Sequence, residues 1–225
     1  MNRLQVENEI MMRKNSVALQ VANNFIPFLG VIFFNWSIFA LIYSYWLETL
    51  GIAFFNSIMI LTGQNAPEKP PHIRKALFYL TFHAGILLFY MIFIITFIGL
   101  MVAEKQEGAG FVNYLAFIDR SFRYSIIGLF IFQAIRFTNN YFLSGSYKTF
   151  KPDGNYMIFN VRSAMIHLVI ILGFFAFNYT SKTINTRYGI IAFALVFVLI
   201  KSIADYVITR FGNNEPTGDL DITQI

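Results

Sequence analysis

Residues 24–56, NFIPFLGVIFFNWSIFALIYSYWLETLGIAFFN, contain one charged side chain, Glu48. A helix needs about 20 mostly apolar residues to cross roughly 30 Å of hydrocarbon. The run is long enough to exceed one crossing, and Asn35-Trp36-Ser37 divides it in two. A chain built around such a stretch has a bilayer, not water, as its solvent. Composition agrees. The 225 residues are 56% hydrophobic and 13% charged, about half the charged share of ordinary soluble domains. Mean hydropathy is +0.57. The 27 Phe and 12 Tyr suit lipid contact and interfacial belts.

The net charge of +5 is therefore read as membrane topology. No basic cluster with interleaved aromatics occurs in a polar segment, so nucleic acid is not an expected partner. The absence of cysteine excludes disulfides, thiolate metal sites, iron–sulfur clusters and cysteine nucleophiles. There is no HExxH, no phosphate-binding GxxxxGK loop, no GxSxG elbow and no GxGxxG. GxxxG pairs are absent from the spans, and internal repeats are not evident.

These features predict an all-α integral membrane bundle of six transmembrane helices, with one interfacial helix near 112–123. Residues 1–15 form a cytoplasmic N-terminal segment. Residues 16–211 form a single helical domain. Its spans are about 16–34, 36–62, 76–103, 121–143, 156–178 and 187–211. Residues 212–225 are expected to be a disordered cytoplasmic tail. The first span is short and polar, with Asn24 and Pro27 inside it, and re-entry is its alternative. A proline-containing helix is tolerated in lipid where neighbours satisfy the freed backbone groups. Asn24, Pro27, Gly30 and Asn56 are accordingly read as helix-break or packing positions.

With six spans, one side holds Arg3, Arg13, Lys14, Lys69, Arg74, Lys75, Lys148, Lys151 and Arg210. The other holds Lys105, Arg120, Arg123, Lys182 and Arg187. Nine against five places both termini in the cytoplasm, in the cell's inner membrane. Arg136 and Arg162, near span ends, are expected to reach lipid phosphates.

Several motifs resemble an uncharacterised prokaryotic family of small polytopic membrane proteins, known only as a domain of unknown function. They are Asn24-x-x-Pro27-x-x-Gly30, Trp36-Ser37, Tyr45-Trp46-x-Glu48 and Phe55-Asn56. His83 with Gly85 is similar to that family's His-aromatic-Gly pattern. A second His of that helix has no counterpart here, where Tyr90 and Met91 stand. Gly145-x-Tyr147-Lys148, His167 and Lys201-x-x-x-Asp205 are similar to its later segments. The resemblance implies a fold and a membrane address, and no activity.

Five ionisable residues fall within spans: Glu48, His83, His167, Lys201 and Asp205. Such residues usually face the protein interior and have a partner. Ser44, Glu48, Ile52 and Asn56 recur every four residues on one face. Tyr79, His83 and Tyr90 share another, as do Asn160, Ser163 and His167. Lys201 and Asp205 are an i,i+4 pair. Two readings stay open. The stripes are interhelical hydrogen-bonding contacts, or they form one intramembrane polar site in which Glu48 meets His83, His167 or Lys201. The second reading makes the protein a small proton- or ion-linked transporter or channel, not an enzyme. A further alternative is a membrane-embedded cofactor protein or enzyme using His83 and His167 on a haem or metal. The last is an accessory or structural subunit of a membrane complex or homo-oligomer. No catalytic residue, dedicated metal site or specific cofactor follows from the residues.

Overall fold

The computed structural model describes residues 24–65, 71–102, 115–151 and 161–211. Among these the chain is all-helical. The helices are α1 (Asn24–Phe34), α2 (Ile38–Thr62), α3 (Ile73–Val102), α4 (Arg120–Phe137), α5 (Val161–Thr183) and α6 (Thr186–Phe211). A π-helical turn, Thr138–Leu143, continues α4, and a 3-10 turn, Ser146–Lys148, follows. The segments 1–15 and 212–225, and residues 112–114 of the expected interfacial helix, lie outside the described residues. The rest of that stretch is not one helix, because the chain turns at 116–119, with Phe117 at a left-handed φ, and Arg120–Arg123 are the first turn of α4.

Three stretches are long and apolar enough to cross a membrane: Ile38–Thr62, Ile73–Thr96 and Thr186–Ala204. They suggest membrane association. Helix α1 is described only from Asn24, so the expected first span is seen in its second half. Helix α5 runs to Thr183, beyond the expected end at 178, because its polar last turn stays helical. There Thr183 Oγ1 bonds Tyr179 O at 2.9 Å.

The described chain forms two compact units. The first contains α1, α5 and α6; the second contains α2, α3, α4 and the turns up to residue 151. The boundary is the break expected at Asn35-Trp36-Ser37. Asn35 takes a left-handed φ of 55°, a conformation Asn tolerates at helix ends. Ser37 then caps α2, its hydroxyl accepting from Ala40 N at 3.2 Å.

In the first unit, α5 and α6 form a hairpin joined by Ile184-Asn185 alone. Asn185 Oδ1 caps α6 by accepting from Tyr188 N at 3.1 Å. Two glycines let the backbones close. A Cβ on Gly173 would stand 2.7 Å from the Phe193 ring, and one on Gly189 would stand 2.9 Å from the Phe177 ring. Helix α1 ends against the same hairpin: Arg187 Nη2 donates to Ile32 O at 3.0 Å. The last carbonyls of a helix have no intrahelical donor, and a cation there also meets the negative end of the helix dipole.

In the second unit, α2 lies between α3 and α4. In its most apolar stretch 78% of residues are buried, against 28% in that of α3. Helix α3 turns Leu77, Phe78, Leu88, Phe89 and Ile92 outward, a continuous apolar face of the kind that meets lipid or protein rather than water.

Candidate functional site

The second unit is stitched at three levels along α2. At its start, Trp36 is buried and donates from Nε1 to Ser121 Oγ at 2.9 Å. Ser121 in turn donates to Asp119 Oδ1 at 2.6 Å, and the same oxygen caps α4 by accepting from Phe122 N at 2.8 Å. Tyr43 stacks on Phe122 at 5.6 Å between ring centroids, and Trp36 meets that ring edge-on at 5.2 Å. Phe117, at a left-handed φ of 54°, places its ring 6.0 Å from both Tyr43 and Phe122.

At mid-helix the stripe Ser44, Glu48, Ile52 and Asn56 is buried. Ser44 bonds back to Leu41 O at 2.7 Å. The backbone carbonyl of Glu48 accepts from Gln133 Nε2 at 3.2 Å. Gln133 Oε1 lies against Gly51, where any Cβ would overlap it. Trp46 Nε1 donates to Leu87 O of α3 at 2.6 Å.

At the far end Asn56 Nδ2 donates to Tyr79 OH at 3.2 Å, and Ser57 Oγ to Ala76 O at 3.1 Å. Tyr141, in the π-helical turn and almost wholly buried, donates to Met59 O at 3.0 Å and lies 3.0 Å from Thr62 Oγ1. An extra residue per turn re-aims a side chain, and such turns recur at functional sites. Here the turn delivers Tyr141 to the end of α2, into a cluster of Ile52, Phe55, Met59 and Phe137.

The expected site residues fall as follows. Glu48 is 7% exposed and sits near the middle of α2. His83 is half-buried; its ring lies 4.0 Å from that of Tyr79, and Nδ1 contacts Tyr79 O at 3.0 Å. A carbonyl accepts, so Nδ1 carries the proton in this contact. Lys201 is 1% exposed, inside α6. His167 is exposed, which corrects its expected place on an inward stripe. The buried face of α5 is Met165, Val169, Ile170 and Phe177, and a residue two positions from both Met165 and Val169 points away from it. Ser163, Asp205 and Arg162 have side chains outside the described residues, and Asn160 lies wholly outside them. Glu48 and His83 belong to one unit, and His167 and Lys201 to the other.

Of the packing positions, Asn24, Pro27, Gly30 and Asn56 are all buried. Arg136, expected to extend to lipid phosphate, is half-buried with Nε enclosed. Among the described residues no group of three or more His, Asp or Glu could hold a metal ion.

Gln133, Tyr141 and Arg187 escaped the sequence reading. Gln133 is one amide in α4, and its neighbour at helical spacing, Arg136, reads as a lipid-phosphate contact and not as part of an inward stripe. Tyr141 reads as an interfacial aromatic, and Arg187 as a loop charge. Asp119, next to the loop cation Arg120, is the N-cap of α4.

No curated protein and no solved structure matches this chain. One family does, over residues 7–218. The all-helical, strongly apolar chain thus belongs to the family of unknown function DUF6498.

Proposed function

We propose that this protein is a multi-pass inner-membrane carrier or channel in which Glu48 takes part in a proton- or ion-linked step. The observation that carries the reading is the position of Glu48. It is a buried carboxyl near the middle of the most enclosed membrane-length helix. A charge at such depth costs a few kcal/mol on insertion scales, and residues kept there usually mark ion pathways or proton relays. Its stripe adds Ser44 and Asn56, both buried. Lys201 gives the other unit a second buried ionisable group inside a membrane-length helix.

In this reading the chain crosses six times with both termini cytoplasmic, as the Lys/Arg asymmetry favours. Helices α1, α4 and α5 are then crossings as well as α2, α3 and α6. Labelling of a terminal tag from outside intact cells would reject that topology.

The activity is tested in proteoliposomes under imposed proton, sodium and potassium gradients. Wild-type protein is expected to pass one of these ions. Glu48→Gln should remove most of that flux while keeping a monodisperse elution profile. No flux in the wild type, or equal flux in the variant, would leave Glu48 as a packing residue and end the proposal.

A further inference from the structure

We infer that the end of the second unit formed by residues 61–65, 72–75 and 144–151 is a docking surface for the headgroups of anionic phospholipids. The surface is built by hydrogen bonds. Gln64 N donates to Tyr147 O at 3.0 Å, and Asn65 N to Phe150 O at 3.1 Å. Asn65 Nδ2 reaches Thr149 O at 2.9 Å. His72 N donates to Leu61 O at 3.1 Å, while its Nε2 lies 3.1 Å from Gly63 O. These bonds gather three segments on one rim, the third of them far along the chain from the other two. Gly145, at φ 78°, makes the turn into the third.

The rim is basic. Arg74, Lys148 and Lys151 are exposed, and Lys148 Nζ lies 5.7 Å from the centre of the Tyr147 ring. The described residues of these three segments include no Asp or Glu. The apolar face of α3 rises directly from the rim, beginning with Ile73, Leu77 and Phe78 at 55%, 58% and 72% exposure. Leu143 and Phe142 are exposed too, on the π-helical turn that leads into residues 144–151. Cations at the edge of an outward apolar face occupy the headgroup level of a bilayer. Anionic lipid attracts each cation held near that surface. Charge complementarity and the continuous apolar face together select a lipid surface as the partner. The inference rests on the membrane address of the chain and not on ion conduction by Glu48.

The test uses the full chain in nanodiscs of phosphatidylcholine alone, or with a phosphatidylglycerol fraction, and reads the midpoint of thermal unfolding. Phosphatidylglycerol is expected to raise the wild-type midpoint by about 5 °C. Raising salt to about 1 M should shrink the gain by screening. The triple variant Arg74→Gln/Lys148→Gln/Lys151→Gln should lose most of it. Arg120→Gln/Arg123→Gln/Lys182→Gln, with the same charge change elsewhere, should keep it, as should Glu48→Gln. Should the rim triple variant fail to fold, the exposed single variants Lys148→Gln and Lys151→Gln carry the test, each expected to lose part of the gain. Absence of a gain in the wild type would overturn the inference. So would a full gain in the rim variants, or an equal loss in the control triple. A gain reproduced by inorganic phosphate in phosphatidylcholine discs would also overturn it, because the surface would then recognise free phosphate.

Discussion

The contact between α2 and α4 and the contact between α5 and α6 solve one problem in two ways. Both close over glycine, whose missing side chain lets helix backbones approach. In the hairpin the facing groups are apolar: Gly173 takes the ring of Phe193, and Gly189 that of Phe177. The partners are sequence neighbours across a two-residue turn. Between α2 and α4 the facing group is polar, since Gly51 takes the end of Gln133, whose Nε2 bonds the Glu48 carbonyl. Those partners lie about eighty residues apart. The hairpin is selected by chain connectivity and needs only shape. The distant pair needs a specific donor to choose its register.

The comparison breaks most sharply at Gly173. Gly173→Val should destabilise by about 3 kcal/mol, because the ring of buried Phe193 stands against the position of the new side chain and must shift within the core. Thermal unfolding in detergent should show a fall of roughly 6–12 °C at this chain length. Phe193→Leu in the same chain should recover part of the loss. Equal unfolding midpoints for wild type and Gly173→Val would mean that the hairpin is not closed over this residue.

A smaller effect is expected at Gly51. A methyl there must displace Gln133 and breaks its bond to Glu48 O, but the far end of a Gln side chain can swing aside. Phe130, 2.9 Å from the added Cβ, adds to the cost. Gly51→Ala should destabilise by about 1–2 kcal/mol, and Gln133→Ala should partly relieve it. If Gly51→Ala proved as damaging as Gly173→Val, the idea that a flexible polar partner softens this contact would fail.

The smallest effect concerns how α1 joins the hairpin. Arg187→Gln removes a cation from the C-terminal end of α1 and should cost about 0.5–1 kcal/mol. Hydrogen exchange should rise at residues 31–34 and stay unchanged in α2. Unchanged protection at 31–34 would show that Arg187 contributes nothing to ending α1.

Much of the helical architecture was legible because apolar run length is a one-dimensional property. The expected limits of α2, α3 and α6 lie within three residues of those observed. The break at Asn35-Trp36-Ser37 was legible too, because Asn and Ser are common at the ends of helices. The site was less legible. Spacing of four residues correctly placed Ser44, Glu48 and Asn56 on a buried face. The same argument failed for His167, because in α5 the buried face is set by Gly173, Phe177 and their partners on α6. No polar pattern in α5 reports that direction.

The sequence by itself determined that this chain is helical, strongly apolar and punctuated at Asn35, because helix length, composition and capping are local properties. Only the tertiary structure decided which face of each helix is inward. It alone assigned Gln133 to the Glu48 carbonyl, Tyr141 to the end of α2 and Arg187 to the end of α1. The reason is physical. A lone amide, phenol or guanidinium can satisfy its hydrogen bonds with any backbone carbonyl within reach. Which carbonyl that is depends on the close approach of helices at glycine, which one strand of sequence does not record.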